Sequence, residues 1–205
     1  MPRKKEKPEI RRPEPPSGRL LLRIIGGEWR GRKIRFPPVE AIRPTPDRVR
    51  ETVFNWLQSD IAGSRCLDLF AGSGALGLEA LSRGAARVVF VDADPSVTRH
   101  VAGTLAALAC DRGEAVCADA GRYLAGPVEP FDIVFLDPPY AAHALAETCR
   151  RLDDRGWLRR GGLAYLEDAA GAGPPELPPG WTLLRSKRAG EVGYHLARRD
   201  TPPAG

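Results

Sequence analysis

Apolar residues follow two different patterns along most of this chain. From position 63 onwards, short apolar runs alternate with segments in which apolar residues recur every three or four positions. Short apolar runs are typical of buried strands, and the wider spacing is typical of helices that bury one face. The alternation predicts a doubly wound α/β fold with a mostly parallel sheet and an antiparallel closing hairpin. We expect strands at 65–70, 87–91, 115–118, 131–136, 163–167, 181–186 and 191–197.

The region before this alternation has a different pattern. Two leucine- or isoleucine-rich runs flank Gly26 and Gly27, which predicts a β-hairpin. A Pro-Thr-Pro-Asp sequence then gives a helix-start signal, and it is followed by Val49, Val53 and Leu57 at a spacing of four. The pattern therefore predicts a hairpin and an amphipathic helix placed ahead of the α/β unit.

The chain of 205 residues has room for one domain of ordinary size. Residues 1–18 are too charged and too rich in proline to bury a core, so we expect a disordered basic tail there. We interpret 19–62 as the extension that contains the hairpin and helix, 63–198 as the main domain and 199–205 as a flexible end.

Charge is distributed unevenly along the chain. The net charge is +5, but residues 1–50 hold 15 Lys or Arg against 6 Asp or Glu, so they carry +9 and the other 155 residues carry −4. A basic end on a mildly acidic body is the layout expected when that end meets phosphate, although a solvated tail gives the same composition. No apolar stretch approaches the roughly 18 residues of a membrane span. The charged start has no apolar run behind it, so we expect a cytoplasmic protein.

The four cysteines show no metal-binding spacing. Cys66, Cys110, Cys117 and Cys149 contain no C-x-x-C pair and no nearby histidine. We expect no metal site and interpret these cysteines as small core residues in a reducing compartment.

A glycine motif predicts a ligand site at the end of the first parallel strand. In Asp68-Leu-Phe-Ala-Gly-Ser-Gly74, glycines at 72 and 74 let the backbone approach a ligand at a helix N-terminus. With Gly77 the sequence completes G-x-G-x-x-G, which by itself favours NAD. Asp68 argues against NAD because a carboxylate would repel a pyrophosphate, so a zwitterionic ligand with an amino group fits better. Tight packing without any ligand is the alternative.

Three further acids follow predicted strands. Asp92 lies 24 residues after Asp68, where a carboxylate can accept hydrogen bonds from ribose hydroxyls. Asp94 competes for that role, although an aspartate before a proline is a typical helix N-cap. Asp119 could accept a hydrogen bond from an adenine amino group or cap a helix at 121–124.

The sequence Asp137-Pro138-Pro139-Tyr140 directly follows a predicted buried strand. Two prolines fix the backbone and leave carbonyl groups that cannot join the sheet. Asp137 and the Pro138 carbonyl could therefore accept hydrogen bonds from one planar amino group, while Tyr140 stacks on an aromatic ring. A rigid turn with a buried tyrosine is the alternative interpretation.

These motifs together resemble a known family. The sequences DLFAGSG, VFVDADP and DPPY resemble the class I, Rossmann-like S-adenosylmethionine-dependent methyltransferases that modify exocyclic amino groups. The sequences GGEWRGRKI and IRPTPDRVRETVFNWL resemble the RsmD family of 16S ribosomal RNA guanine-N2 methyltransferases. The resemblance spans about residues 20–140. It implies that S-adenosyl-L-methionine is bound by Asp68, Phe70, Gly72, Gly74, Asp92 and Asp119, and the target base by Asp137, Pro138 and Tyr140.

The same resemblance implies a ribosomal RNA partner, within the small subunit or an assembly intermediate, and a monomeric enzyme. We expect RNA contacts on the hairpin and the first helix from Trp29, Arg30, Arg32, Lys33, Arg43 and Arg48, with Arg50 as a further candidate. A loop-anchoring role for the tryptophan and ordinary helix-face charge for the arginines remain open. Two other functions also remain open, namely amino-methylation of DNA adenine or protein glutamine, and a non-catalytic RNA-binding assembly role.

Overall fold

A computed structural model describes residues 20–36, 45–138 and 144–201. The predicted tail at 1–18, Arg43 and Tyr140 lie outside the described residues. The elements in chain order are β1 Leu20–Arg23, β2 Lys33–Phe36, α1 Asp47–Trp56, β3 Arg65–Asp68, α2 Ala75–Ser82, β4 Arg87–Asp92, α3 Pro95–Ala107, β5 Gly113–Cys117, α4 Ala120–Ala125, β6 Phe131–Leu136, α5 Ala144–Asp154, β7 Leu158–Ala169, β8 Trp181–Ala189 and β9 Val192–Arg199.

The main sheet has seven strands in the order β5-β4-β3-β6-β7-β9-β8. Strands β3 to β7 pair in parallel, and β9 pairs antiparallel with both β7 and β8. The fold is therefore the predicted doubly wound α/β sheet with an antiparallel closing hairpin. Strand order reverses between β3 and β6, and a parallel sheet binds its ligands at the carboxyl edge of such a switch point.

Helices cover both faces of the main sheet, and its central strands are therefore buried on both sides. One face packs against α1, α2, α3 and the N-terminal hairpin, with Phe54, Leu78 and Val101 in a shared core. The other face packs against α4 and α5, with Leu124 and Leu152 among the buried residues. The predicted apolar face of α1 is confirmed, since Val49, Val53 and Leu57 are all buried.

A buried carboxylate attaches the N-terminal hairpin to the main sheet's helices. Strands β1 and β2 pair antiparallel, as predicted. The Glu79 side chain on α2 accepts hydrogen bonds from the backbone N–H of Ile25 at 2.9 Å and of Gly26 at 2.7 Å. It also pairs with Arg83 at 2.8 Å and with Arg50 at 3.4 Å. These contacts hold the hairpin, α1 and α2 in one fixed arrangement.

Two residues expected to contact RNA instead contribute to this packing. Arg50 is fully buried and donates to the carbonyl oxygens of Arg23 and Thr45, so it cannot reach a phosphate. Trp29 is only 4% exposed, its backbone N–H donates to Ser82 Oγ at 2.9 Å, and its ring lies under the Arg112 guanidinium. The prediction of base stacking by Trp29 is wrong because the core covers this ring, which anchors the loop.

Other differences from the predictions are local. Strand β7 starts five residues earlier than predicted. The prediction missed its first residues because Arg159, Arg160 and Gly161 interrupt the apolar pattern there. Among the cysteines, Cys117 is exposed and Cys110 is half-buried, so these two are not core residues. Across the described ranges, no helix is both long enough and apolar enough to span a membrane.

Candidate active site

The loops after β3, β4 and β6 meet at the carboxyl edge of the sheet. Ala71 N donates to the carbonyl of Val91 at 3.0 Å, and Leu69 N donates to the carbonyl of Phe135 at 3.2 Å. The loop after β3 is thus held between the ends of both neighbouring strands. This loop contains the glycine motif, so the motif lies at the switch point, where a ligand is expected.

The three glycines of the motif are needed for two different structural reasons, a positive φ angle and close packing. Gly72 and Gly74 have positive φ angles of 49° and 74°, a conformation that glycine adopts without strain. Gly74 is the N-cap residue of α2, so free N–H groups of the helix start face the loop. A Cβ on Gly77 would lie 2.2 Å from Cε1 of Phe90, so this glycine permits close packing of α2 on β4. Phe70 is half-buried in the same loop.

Asp92 links the glycine loop to the loop after β4. Its Oδ2 accepts from Gly72 N and its Oδ1 accepts from Asp94 N, each at 2.9 Å. Each oxygen keeps a further lone pair, so the carboxylate can also accept from two ribose hydroxyls. Asp94 has a different role because its side chain caps α3 through Ser96 N at 2.7 Å. Hydrogen bonds from Ser96 hold the pKa of Asp94 below its usual value.

Asp119 caps the short helix α4, which was the alternative to adenine binding. Its Oδ1 accepts from the N–H groups of Gly121 at 2.8 Å and Arg122 at 3.2 Å. The Asp119 side chain is exposed and lies two residues after the end of β5. Capping occupies one oxygen, so the other oxygen can still accept from an adenine amino group.

Three acidic side chains lie at the carboxyl ends of adjacent strands and form what we call the acid cluster, Asp68, Asp137 and Glu167. Asp68 ends β3 and lies opposite Phe135 of β6, while Leu136 of β6 lies opposite Leu166 of β7. Asp137 and Glu167 each follow one residue later, so they are neighbours on the same face as Asp68. Asp68 and Glu167 are buried and Asp137 is half-buried.

Burial and like charge disfavour ionisation of the acid cluster. Burial raises the pKa of Asp68 to about 7, even though the N–H of Gly77 donates to Asp68 Oδ2 at 2.9 Å. Burial, and then the charge of Glu167, raise the pKa of Asp137 to about 8. Burial also raises the pKa of Glu167. These sites therefore lack a positive charge that would stabilise their ionised forms.

Sequence reasoning did not identify Glu167 or its neighbour Tyr165 as site residues. Tyr165 is fully buried and donates its hydroxyl hydrogen to Glu167 Oε2 at 2.7 Å. Burial raises the pKa of Tyr165 well above its usual value, which keeps the hydroxyl a donor. The available signal was position, since Glu167 is an acid near the end of a buried strand, as Asp68 and Asp92 are. That signal is weak until the strand order places β7 beside β6.

The acid cluster fits a cationic ligand. Within the described ranges, no lysine or arginine forms an ion pair with Asp68, Asp137 or Glu167. Their oxygens without hydrogen-bond partners keep some solvent exposure, because His195 Nε2 is the one fully buried side-chain polar atom of the described residues that lacks a partner. The sulfonium and ammonium groups of S-adenosylmethionine complement this charge, whereas the pyrophosphate of NAD would be repelled.

The predicted site residues therefore fall into three regions. Asp68, Phe70, Gly72, Gly74 and Asp92 lie around the switch point together with Asp137, and Pro138 is buried beside them. Asp119 lies at the end of β5, two strands from β3. The hairpin residues Arg30, Arg32 and Lys33, together with Arg48 of α1, are exposed and lie outside this cleft.

The sheet order, the glycine loop and an acidic cleft suited to a cationic cofactor define an S-adenosylmethionine-dependent methyltransferase with a Rossmann-like fold. Residues 22–198 match the model of the family described as conserved hypothetical protein 95. The chain belongs to this family, the RsmD family.

Three comparisons with known proteins show how close these likenesses are. The chain is 47% identical to ribosomal RNA small subunit methyltransferase D of Escherichia coli K12, over 90% of this chain and 93% of that protein. It is 46% identical to the solved structure of Escherichia coli yhhF, with a TM-score of 0.82 over 88% of this chain and 98% of that one. It shares the fold of the Thermus thermophilus 16S rRNA N2 G1207 methyltransferase RsmC, which was solved with AdoMet and guanosine. That likeness has 24% identity and a TM-score of 0.62, over 89% of this chain and 50% of that one.

Proposed function

We propose that this methyltransferase transfers the methyl group of S-adenosylmethionine to the exocyclic N2 of a guanine in 16S ribosomal RNA. The observation that carries the proposal is the position of Asp137 and Pro138 directly after β6, where Asp137 is a neighbour of the two other acids of the cluster, Asp68 and Glu167. The relatives named for small-subunit ribosomal RNA methylation support RNA as the substrate.

Cofactor binding is assigned to residues that follow β3, β4 and β5. Asp92 holds the ribose, Asp119 the adenine, and the free oxygen of Asp68 the ammonium group of the methionine part. The glycine loop lets the backbone approach this part closely. The cofactor supplies an activated methyl group on a positively charged sulfur.

Target recognition is assigned to residues after β6 and β7. The Asp137 carboxylate and the Pro138 carbonyl accept hydrogen bonds from the target amino group, which orients its lone pair toward the methyl group. As the N–C bond forms and the bond between the methyl group and sulfur breaks, the sulfur keeps the bonding electron pair and the amino nitrogen must lose a proton. The ionised Asp137 carboxylate would accept that proton, and its pKa, raised to about 8, makes it a stronger base than an ordinary carboxylate. Tyr140, in the same motif, is assigned to stacking on the flipped base.

Glu167 favours guanine over adenine as the target. Guanine presents two adjacent donors on its Watson–Crick edge, the N1–H and the N2 amino group, whereas adenine presents an acceptor at N1. Asp137 and Glu167 provide two neighbouring carboxyl groups, which suits two adjacent donors. The same pair would leave the N1 acceptor of adenine facing carboxylate oxygens, which is unfavourable.

The direct test is methyl transfer followed by nucleoside mass spectrometry. Purified enzyme is incubated with S-adenosylmethionine and either small ribosomal subunits or their naked RNA, taken from cells that lack the enzyme. We expect one N2-methylguanosine per RNA. A methyl group found on adenine or in the protein fraction would assign one of the alternative targets, and failure to bind the cofactor would indicate an assembly role.

Two variants separate the proposed roles of the acids. Asp137→Ala should keep cofactor affinity near normal and lower turnover by about 100-fold or more, as expected for loss of a transition-state contact. Asp68→Ala should instead weaken cofactor binding. Calorimetry with S-adenosylmethionine decides between them, since the reverse result would show that the two roles are assigned wrongly.

A further inference from the structure

A groove runs between the N-terminal hairpin and α3. It encloses about 880 Å³. One wall is formed by the hairpin and the other by the exposed side of α3. The charged or titratable side chains that line it are Arg32, Lys33 and Arg35 from the hairpin and Arg99 and His100 from α3.

The described side chains that line this groove give it a strongly basic character. Among the described residues that line it, none is acidic. Its four cations, Arg32, Lys33, Arg35 and Arg99, form no ion pair with any residue in the described parts of the chain. Elsewhere on the surface, by contrast, arginines are commonly paired, as in Arg65–Glu129, Arg87–Glu114, Arg112–Glu28 and Arg151–Glu147. Four close, unpaired cations repel one another, so they are stabilised when a polyanion binds.

Both walls of the groove are fixed to the core. The inner face of the hairpin buries Leu22, Ile34 and Phe36, and the Phe36 ring centroid lies 6.3 Å from that of His100 on α3. Cations on such supports keep their spacing, so they can fix the register of a bound strand as well as attract it. Flexible side chains on a loose tail would attract it only diffusely.

The position of the groove connects it to the cofactor site. Helix α3 begins at Pro95, directly after the Asp92 loop, and Arg99 lies one turn into this helix. The N-terminal end of the α3 wall therefore lies next to the loop of Asp92, to which ribose binding is assigned. Target-base binding is assigned to Asp137, which follows β6, whereas α3 follows β4, and β3 lies between these two strands. The groove would therefore hold a segment of the RNA away from the reacting nucleotide.

We propose that this groove binds the sugar-phosphate backbone of the RNA substrate at a distance from the target base. The inference rests on the proposed function for the identity of the RNA. It adds Arg35 and Arg99 to the RNA-binding residues and makes α3 one wall of the interface. RNA fits better than an acidic protein, because the four cations lie on two fixed walls with no acidic side chain among the described lining residues, which suits the regularly spaced phosphates of one strand.

The test compares two variants that each lose two exposed, unpaired cations. Arg35→Ala with Arg99→Ala removes one cation from each wall, and Arg150→Ala with Arg160→Ala removes two from other surfaces. The probe is naked small-subunit RNA transcribed in vitro, with its Kd measured over a range of salt concentrations. Loss of two phosphate contacts should weaken binding about 10-fold or more at low salt and reduce the slope of log K against log salt by about 1.4 to 1.8. The control variant should keep the slope of the unmodified protein.

The outcomes distinguish this inference from the proposed function. Equal slopes in the two variants would overturn the groove proposal, whether or not the enzyme methylates guanine. Weaker binding to intact small subunits with unchanged binding to naked RNA would overturn it too, because the partner would then be a ribosomal protein. If the groove variant loses RNA affinity but the unmodified protein forms no N2-methylguanosine, the groove stands and the proposed function fails.

Discussion

Replacing Glu167 with glutamine should move the pH dependence of methyl transfer to lower pH. The substitution removes one negative charge from the acid cluster, and the amide oxygen can still accept from the Tyr165 hydroxyl. Burial and the charge of Glu167 raise the pKa of Asp137 to about 8. Removing that charge makes ionisation of Asp137 easier, so its pKa falls. Since ionised Asp137 is the better acceptor for the target amino group, the rising limb of activity should move down with this pKa.

The size of the effect follows from the spacing of the strands. Neighbouring strands lie about 4.8 Å apart. Two unit charges at that distance repel by about 3.5 kcal/mol at an effective dielectric constant of 20, which corresponds to about 2.5 pKa units as an upper limit. Solvent at the open side of the cleft and partial protonation of Glu167 reduce this, so we expect the limb to move by about 1 pH unit.

The assay is kcat/KM for methyl transfer to small subunits at saturating cofactor, measured from about pH 5.5 to 9.5. Glu129→Gln is the matched control, because Glu129 is an exposed carboxylate paired with Arg65 outside the acid cluster. Its profile should overlay that of the unmodified enzyme. An unmoved limb in Glu167→Gln, or one displaced to higher pH, would refute the assignment of Glu167 as the charge that perturbs Asp137.

Two further predictions concern stability and are read from urea unfolding. Gly77→Ala should destabilise the protein by about 1–3 kcal/mol, because the new Cβ would lie 2.2 Å from the buried Phe90 ring, whereas Gly103→Ala has open space and should be neutral or slightly stabilising. A Gly77→Ala protein as stable as the parent would show that the ring can move away. Arg50→Ala should cost about 3–5 kcal/mol, because Glu79 would stay buried with one cation fewer. Adding Glu79→Gln should recover part of this loss, and a cost below about 1 kcal/mol would contradict the buried-pair interpretation.

Local signals in the sequence were sufficient for the elements and for the positions of the residues to which we assign cofactor binding. A strand followed by glycines with positive φ, and a carboxylate directly after the next strand, depend on neighbours within a few residues. Gly72, Gly74 and Asp92 are therefore found where the pattern predicted them. The N-cap alternatives for Asp94 and Asp119 were also readable, because capping is a local hydrogen bond two residues along the chain.

Only the tertiary structure decided which charged and aromatic residues are available to a partner. Arg50 and Trp29 have the sequence context of surface residues, but the packing of the hairpin on α2 buries them both. Burial of a side chain depends on what a distant segment places over it, and Glu79 is separated from Ile25 by 54 positions. The same is true of the groove, whose two walls come from β2 and α3.

The acid cluster shows the physical reason most directly. The sequence determined that Asp68, Asp137 and Glu167 each lie at or just after the end of a strand, because strand ends are local features. It did not determine that β3, β6 and β7 are neighbours. Paired strands of a parallel sheet are separated in the sequence by at least one helix, and β3 and β6 are also separated by two other strands. The perturbed pKa values arise from that adjacency and from burial, so they are properties of the folded sheet alone.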